Sequence, residues 1–139
     1  MIALALAISA LAGCAPTTES GPKVIDGGFP PRGDLPALPF RIADQTGKIR
    51  AVTITNDGGV MEGVSQVPER DDALYVHWIG GQCDRRVLVI FEQSVDGPAF
   101  TIDTERDFGG CRMVGIPRIL MIELTGPVDA STVSLSMKN

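Results

Sequence analysis

Apolar and polar residues alternate over short stretches along most of the chain, and Gly or Pro separates one stretch from the next. In residues 73–79 this alternation places Leu74, Val76 and Trp78 on one face of an extended segment. Residues 87–91 are continuously apolar, as in a strand at the centre of a sheet. No stretch of about ten residues shows the spacing of an amphipathic helix. The pattern therefore predicts strands rather than helices.

Four more short stretches fit the same description, and turn residues lie between them. The stretches are residues 48–55, 100–103, 119–124 and 133–137, and the turns include Asn56-Asp57-Gly58-Gly59, Gly80-Gly81, Asp96-Gly97-Pro98 and Gly109-Gly110. Such spacing predicts an all-β domain: a single small β-sandwich, immunoglobulin-like or related, over residues 23–139. We expect its core to contain Trp78, Val89, Ile102, Leu120 and Leu135.

The start of the chain has a different pattern. Residues 2–12 form an apolar run that is too short to span a bilayer, which takes about 20 residues, but suits the apolar region of a signal peptide. No Lys or Arg precedes the run, where a signal peptide normally carries one. The run can therefore belong to a signal peptide, either an ordinary one or one of the lipoprotein type, or to a buried apolar strand followed by a chance Cys.

The run ends in Leu11-Ala12-Gly13-Cys14, which resembles the lipobox of bacterial lipoproteins. The resemblance implies cleavage before Cys14 and acylation of its thiol. Residues 1–13 are then a lipoprotein signal peptide, and residues 14–22 are the lipidated Cys and a flexible tether. The expected partner is the lipid bilayer, and the expected location is the extracytoplasmic side of a cell membrane or an outer membrane.

Two cysteines remain if Cys14 carries lipid. Cys83 and Cys111 are an even pair in an oxidising compartment, which predicts an internal disulfide. Two free thiols or a metal pair are the alternatives. A metal site needs closer Cys spacing or additional His, and the chain has 1 His.

Composition narrows the function classes. The chain has 12 Lys and Arg against 17 Asp and Glu, for a formal net charge of −5. This balance argues against an extended nucleic-acid-binding face, which needs clustered basic residues. An apolar fraction of 44% is typical of a globular domain.

One resemblance covers much of the body of the chain, roughly residues 40–137. It is carried by Trp78-Ile79-Gly80-Gly81-Gln82-Cys83-Asp84, Gly110-Cys111-Arg112 and Gly115-Ile116-Pro117-Arg118, with Asp44-Gln45-Thr46-Gly47 ahead of a strand. These segments look like a recurring family of small secreted bacterial proteins and lipoproteins of unknown function. The resemblance implies a compact β-domain with one internal disulfide, and it implies no catalytic residues.

Two groups of side chains are candidates for chemistry. His77 would have to serve any Ser-His-acid arrangement, but a strand His at the edge of the core or the surface is the ordinary interpretation. Asp103, Glu105 and Asp107 faintly resemble a calcium loop, although the Gly comes late and no closing Glu follows. Solvated acids at a strand end are the ordinary interpretation.

Two further motifs involve arginine. Arg32-Gly33-Asp34 is the tripeptide that integrin ligands present on exposed loops, but a tripeptide also occurs by chance. A set of four arginines near the two cysteines predicts either an anion-binding cluster or internal ion pairs with Asp84, Glu92 or Glu123. Its members are Arg85, Arg86, Arg112 and Arg118.

The residues together predict a non-catalytic envelope lipoprotein that acts as a binding or structural accessory module, with an unknown ligand or envelope protein as partner. We expect no metal, cofactor or nucleic acid. Binding would fall to loops, first those at residues 56–59 and 103–110. The alternative is a small carboxylate- or metal-dependent hydrolase on a β-sandwich, which would draw on Asp71, Asp72, Asp103, Glu105 and Asp107.

Overall fold

The computed structural model describes residues 21–58, 61–107, 109–111 and 114–138. Nearly all of the regular structure in these residues is β-strand. The strands are β1 (Lys23–Phe29), β2 (Leu38–Asp44), β3 (Ile49–Ile54), β4 (Gly63–Gln66), β5 (Ala73–Gly80), β6 (Asp84–Ser94), β7 (Gly97–Arg106), β8 (Ile116–Leu124) and β9 (Ser134–Lys138). One short 3₁₀ turn (Ala130–Thr132) precedes β9. Among these residues, no helix has the length and apolar character needed to cross a membrane.

The strands form two sheets, which confirms the predicted all-β sandwich. One sheet has five strands in the order β1-β2-β6-β7-β9, and the other has four in the order β3-β8-β5-β4. β2 pairs with β6, and β7 with β9, in parallel, whereas the remaining pairs are antiparallel. Since parallel neighbours need a crossover connection, the chain passes repeatedly from one sheet to the other.

Alternating side chains from both sheets fill the space between them. Of the expected core residues, Trp78, Val89, Ile102 and Leu120 are fully buried, and Phe91 stacks on Phe100 with ring centroids 4.4 Å apart. The fifth expectation was wrong. Leu135 packs against the core but is only partly buried, because β9 is an edge strand with a single neighbour.

A buried carboxylate fixes the crossing from β2 to β3. The Oδ1 atom of Asp44 accepts hydrogen bonds from the Thr46 amide (3.0 Å), the Thr46 hydroxyl (2.7 Å) and the Gly47 amide (3.0 Å). Its Oδ2 atom accepts a bond of 2.8 Å from the Ile49 amide, the first residue of β3. Since β2 and β3 belong to different sheets, this one side chain sets how the sheets are joined here.

The strand register brings four connections to one end of the sandwich. Strand ends that meet at this end of the sandwich are paired in register: Phe29 with Leu38, Asp84 with Arg106, and Gly80 with Ile116. The three-residue link at 81–83 joins the two sheets there. We call this the disulfide end. It comprises the described parts of the connections at residues 30–37, 55–62, 81–83 and 107–115.

Candidate functional site

The predicted disulfide between Cys83 and Cys111 is present, with Cα atoms 5.7 Å apart. It joins the β5–β6 and β7–β8 connections, so it closes one end of the sandwich and does not cross the core. The Asp107 amide donates a hydrogen bond of 2.9 Å to the carbonyl oxygen of Cys83 and ties the same two connections. The ends of both sheets are thereby held together.

An arginine lies inside the sandwich behind this disulfide. Arg118 of β8 is paired in register with Trp78 of β5, and its side chain shares the inner face with Ile116 and Leu120. Arg118 is only 8% exposed, and its guanidinium carbon is 4.9 Å from the centroid of the Phe29 ring. This is the distance of a cation–π contact.

Two donors of this pair have no acceptor. Within the described residues, neither Nε of Arg118 nor the indole Nε1 of Trp78 has a hydrogen-bond partner. Burial lowers the pKa of Arg118 from its ordinary value, the nearby carboxylate of Asp84 opposes that shift, and Arg32 adds to it. The lowered pKa means that the carboxylate of Asp84 does not fully offset the effect of burial on the charged guanidinium.

Asp84 is the buried acid nearest to this arginine, and it is already engaged. Its carboxylate accepts hydrogen bonds from the Gly81 amide (2.7 Å) and from Nε of Arg106 (3.2 Å). A Cβ atom at Gly80 would lie 2.7 Å from Oδ2 of Asp84 and 3.4 Å from Cγ of Arg118. The two side chains therefore occupy the space above a glycine, which explains why a larger residue does not fit there.

Two surface clefts open beside Asp84. One, of about 210 Å³, is lined by Gly80, Gly81, Asp84, Arg106 and Val114 among others. The second, of about 410 Å³, is lined by residues from three connections at the disulfide end, including Ala37, Cys83 and Asp107, and by Arg85 of β6. Both clefts are lined in part by Asp84, whose side chain is only 1% exposed.

Of the four arginines near the cysteines, Arg85 and Arg86 form ion pairs and Arg118 is in none of those between described residues. Arg85 forms an ion pair of 3.1 Å with Asp107, and Arg86 pairs with Glu105. Internal pairing is thus confirmed for these two, but the partners differ from those expected, since Asp84 binds Arg106. Glu123 pairs with Arg70 instead, and Glu92 is in none of the ion pairs between described residues. Arg112 lies outside the described residues.

The acids that suggested a calcium loop lie along β7 and just beyond it. Glu105 and Asp107 each have an arginine partner, and Arg86 lowers the pKa of Glu105 through its hydrogen bond. Asp103 lies beside Glu105 in an open groove on the outer face of the five-stranded sheet. The described part of the chain contains no group of three or more His, Cys, Asp and Glu arranged to hold a metal ion.

His77 lies on the other side of β5 from Trp78. It is buried on the outer face of the four-stranded sheet, next to Gly63, where a Cβ atom would come within 3.6 Å of the imidazole ring. Its Nδ1 atom has no partner among the described residues, and burial lowers its pKa. The sheet itself separates His77 from Arg118.

The remaining candidates are placed as follows. Arg32-Gly33-Asp34 forms an exposed turn closed by backbone hydrogen bonds of 3.1 and 3.0 Å between Arg32 and Leu35, with Gly33 at a φ of 58°. The predicted binding loops at residues 56–59 and 103–110 both reach the disulfide end, but residues 103–106 belong to β7 and are not loop. Cys14 lies outside the described residues.

The fold and this site define a disulfide-closed β-sandwich with a buried arginine at the closed end. The chain matches no protein-family model, no curated protein and no solved structure.

Proposed function

We propose that the chain is a lipid-anchored envelope protein on the extracytoplasmic side of a membrane, and that its domain is a binding module rather than an enzyme. Lipid on Cys14 is the anchor, residues 15–22 are the tether, and the disulfide end is the binding surface. The ligand or the envelope partner approaches at the connections of the disulfide end.

The observation that carries this proposal is the convergence at the disulfide end. Connections from both sheets meet there, the Cys83–Cys111 bond fixes two of them, and the buried donors of Trp78 and Arg118 lie directly behind. A rigid scaffold with loops gathered at one end is a common arrangement for recognition. A structural disulfide is also typical of proteins that fold outside the cytoplasm.

The ionisation of the acids favours binding over catalysis. A general acid needs a carboxyl group whose pKa is raised towards neutrality. At the disulfide end the carboxylates of Asp84 and Asp107 are paired with arginines, and Arg86 lowers the pKa of neighbouring Glu105. The lowered pKa keeps Glu105 ionised, and the ion pairs fix the positions of Asp84 and Asp107, as suits a fixed recognition surface.

Anchoring is tested by fractionation of cells that express the full chain. We expect the wild-type protein in the membrane fraction and Cys14→Ser in the soluble extracytoplasmic fraction. The Cys83→Ser/Cys111→Ser variant is the matched control, since it removes thiols but keeps Cys14 and should stay with the membrane. Membrane association that survives Cys14→Ser would contradict the proposed anchor.

The binding role is tested with the detergent-extracted protein on panels of glycoside, ester and peptide substrates. We expect no turnover above that of a mock extract. Turnover that is lost in Glu105→Gln or Asp103→Asn, while the circular dichroism spectrum is unchanged, would show an enzyme and overturn this half of the proposal.

A further inference from the structure

We propose that the disulfide end contains a receptor site for a carboxylate group, which the guanidinium of Arg118 and the indole N–H of Trp78 bind together. The inference rests on the proposed binding function and specifies the chemistry of its ligand. It adds a site to the protein: a pair of buried donors between the two sheets that takes the anionic group of a small molecule or of a peptide terminus.

The first argument is the excess of buried donors. Trp78 is 1% exposed and Arg118 is 8% exposed, they are register partners on adjacent strands, and each has a nitrogen without an acceptor in the described structure. Buried polar groups in folded proteins are nearly always hydrogen-bonded. Two neighbouring orphaned donors on one inner face are an arrangement that an acceptor from outside would complete.

The second argument is charge. Among the described residues, Arg32, Arg106 and Arg118 place positive charge in this region, and Asp84 is the one buried carboxylate there. Asp84 is bound by Arg106 and by the Gly81 amide, and no ion pair between described residues includes Arg118. In a chain with a net charge of −5, the buried charge of Arg118 and the neighbouring Arg32 and Arg106 form a local surplus of positive charge, which matches a ligand of charge −1.

The third argument concerns shape, and it favours carboxylate over phosphate. The centroid of the Phe29 ring lies 4.9 Å from the guanidinium carbon of Arg118, and Trp78, the register partner of Arg118, packs edge-on against the same ring. A planar guanidinium presents its N–H groups along its edges, where a planar carboxylate can accept two of them. One guanidinium and one indole N–H match the single charge and two oxygens of a carboxylate, whereas phosphate carries more charge and more oxygens and needs several cations.

The site lies within reach of the surface. The cleft of about 210 Å³ is lined in part by Gly80, Asp84 and Arg106. A Cβ atom at Gly80 would lie 2.7 Å from Oδ2 of Asp84 and 3.4 Å from Cγ of Arg118, so the arginine stem lies close to this lining. Entry of the ligand therefore requires the Asp84 side chain to rotate away from its hydrogen bonds with the Gly81 amide and Arg106. The ligand carboxylate then takes a place beside Asp84, next to Arg106 and Arg118.

The chain has 1 Trp, so its indole N–H gives a single resonance in a ¹H–¹⁵N spectrum. We would titrate the detergent-extracted protein with sodium acetate, and in parallel with sodium phosphate and sodium chloride, all at constant ionic strength and pH. We expect a saturable shift of the Trp78 indole resonance with acetate and none with chloride. No saturable shift with acetate, an equal shift with chloride, or saturation with phosphate alone would each overturn the proposal.

Variants locate the binding. Arg118→Met keeps the length of the side chain without the guanidinium, and it should weaken acetate binding at least tenfold. Arg86→Met is the matched control, because that arginine is exposed on the outer face and should leave the titration unchanged. If Arg118→Met does not fold, Arg118→Lys keeps the charge but loses the planar fork, and it too should weaken binding. Acetate affinity equal to wild type in a folded Arg118 variant would overturn the assignment.

Fractionation and turnover assays do not involve acetate, so failure of the broader function is distinguishable from failure of this site.

Discussion

Removal of the Cys83–Cys111 disulfide should destabilise the domain substantially without changing its fold. The bond joins residues 28 positions apart and ties the β5–β6 connection to the β7–β8 connection, on which the placement of both sheet ends depends. The double variant Cys83→Ser/Cys111→Ser removes the bond without leaving a reactive thiol in either connection.

The magnitude follows from the length of the loop that the bond closes. For a separation of 28 residues, the chain-entropy relation gives about 3.6 kcal/mol of stabilisation. Since domains are typically stable by about 5–15 kcal/mol, this is a large fraction of the total. The corresponding fall in melting temperature is roughly 10 to 20 °C.

The assay is equilibrium urea unfolding followed by the fluorescence of Trp78, which is buried in the core and is the 1 Trp of the chain. The wild-type protein, oxidised and then reduced, is compared with the double variant, and reduced wild type should unfold at the same urea concentration as the variant. A loss of stability below about 1 kcal/mol would refute the reasoning, because the cross-link would then not restrict the unfolded chain.

Three further predictions concern single side chains. Asp44→Ala should lower the free energy of unfolding in urea by about 3 kcal/mol, because buried backbone donors lose their acceptor. Asp26→Ala, on the exposed face, is the control and should change this free energy little, so equal effects of the two variants would contradict the prediction. Burial lowers the pKa of His77 in the folded state, so the unfolded chain binds a proton more readily, and the free energy of unfolding should fall as the pH drops below 6.5. In His77→Gln, the urea midpoint should change less between pH 7.5 and 5.5 than it does in the wild type. Gly80→Ala should lower the melting temperature, since its Cβ atom meets Asp84; an unchanged value would show that the carboxylate moves freely.

The strand pattern predicted much of the fold because one face of most strands is buried. Trp78, Val89, Ile102 and Leu120 each lie at an inward position of an alternating or apolar stretch, and all are in the core. Leu135 follows the same alternation but lies on an edge strand. The parallel pairings of β2 with β6 and of β7 with β9 depend on contacts far apart in sequence, which local alternation does not encode.

The candidate site was predictable only in part. The disulfide was predictable because two cysteines remain once Cys14 is set aside. The inward position of Arg118 was missed because the residue was interpreted as one member of an arginine cluster. A signal was present in the alternation of Ile116, Arg118, Leu120 and Ile122, which puts the arginine in phase with core residues. The partners of Arg85 and Arg86 were missed because Glu105 and Asp107 come alongside them only through the pairing of β6 with β7.

The central claim is that this β-sandwich is carried on a lipid anchor, and the mass of its N-terminal peptide tests that claim most directly. The protein is extracted from membranes with detergent, digested and analysed by mass spectrometry. We predict a peptide that begins at Cys14 and carries a diacylglyceryl group on the thiol, whose two acyl chains are sufficient for stable anchoring. An unmodified peptide that begins at any other residue, or one that contains Leu11-Ala12-Gly13 still joined to Cys14, would contradict the account.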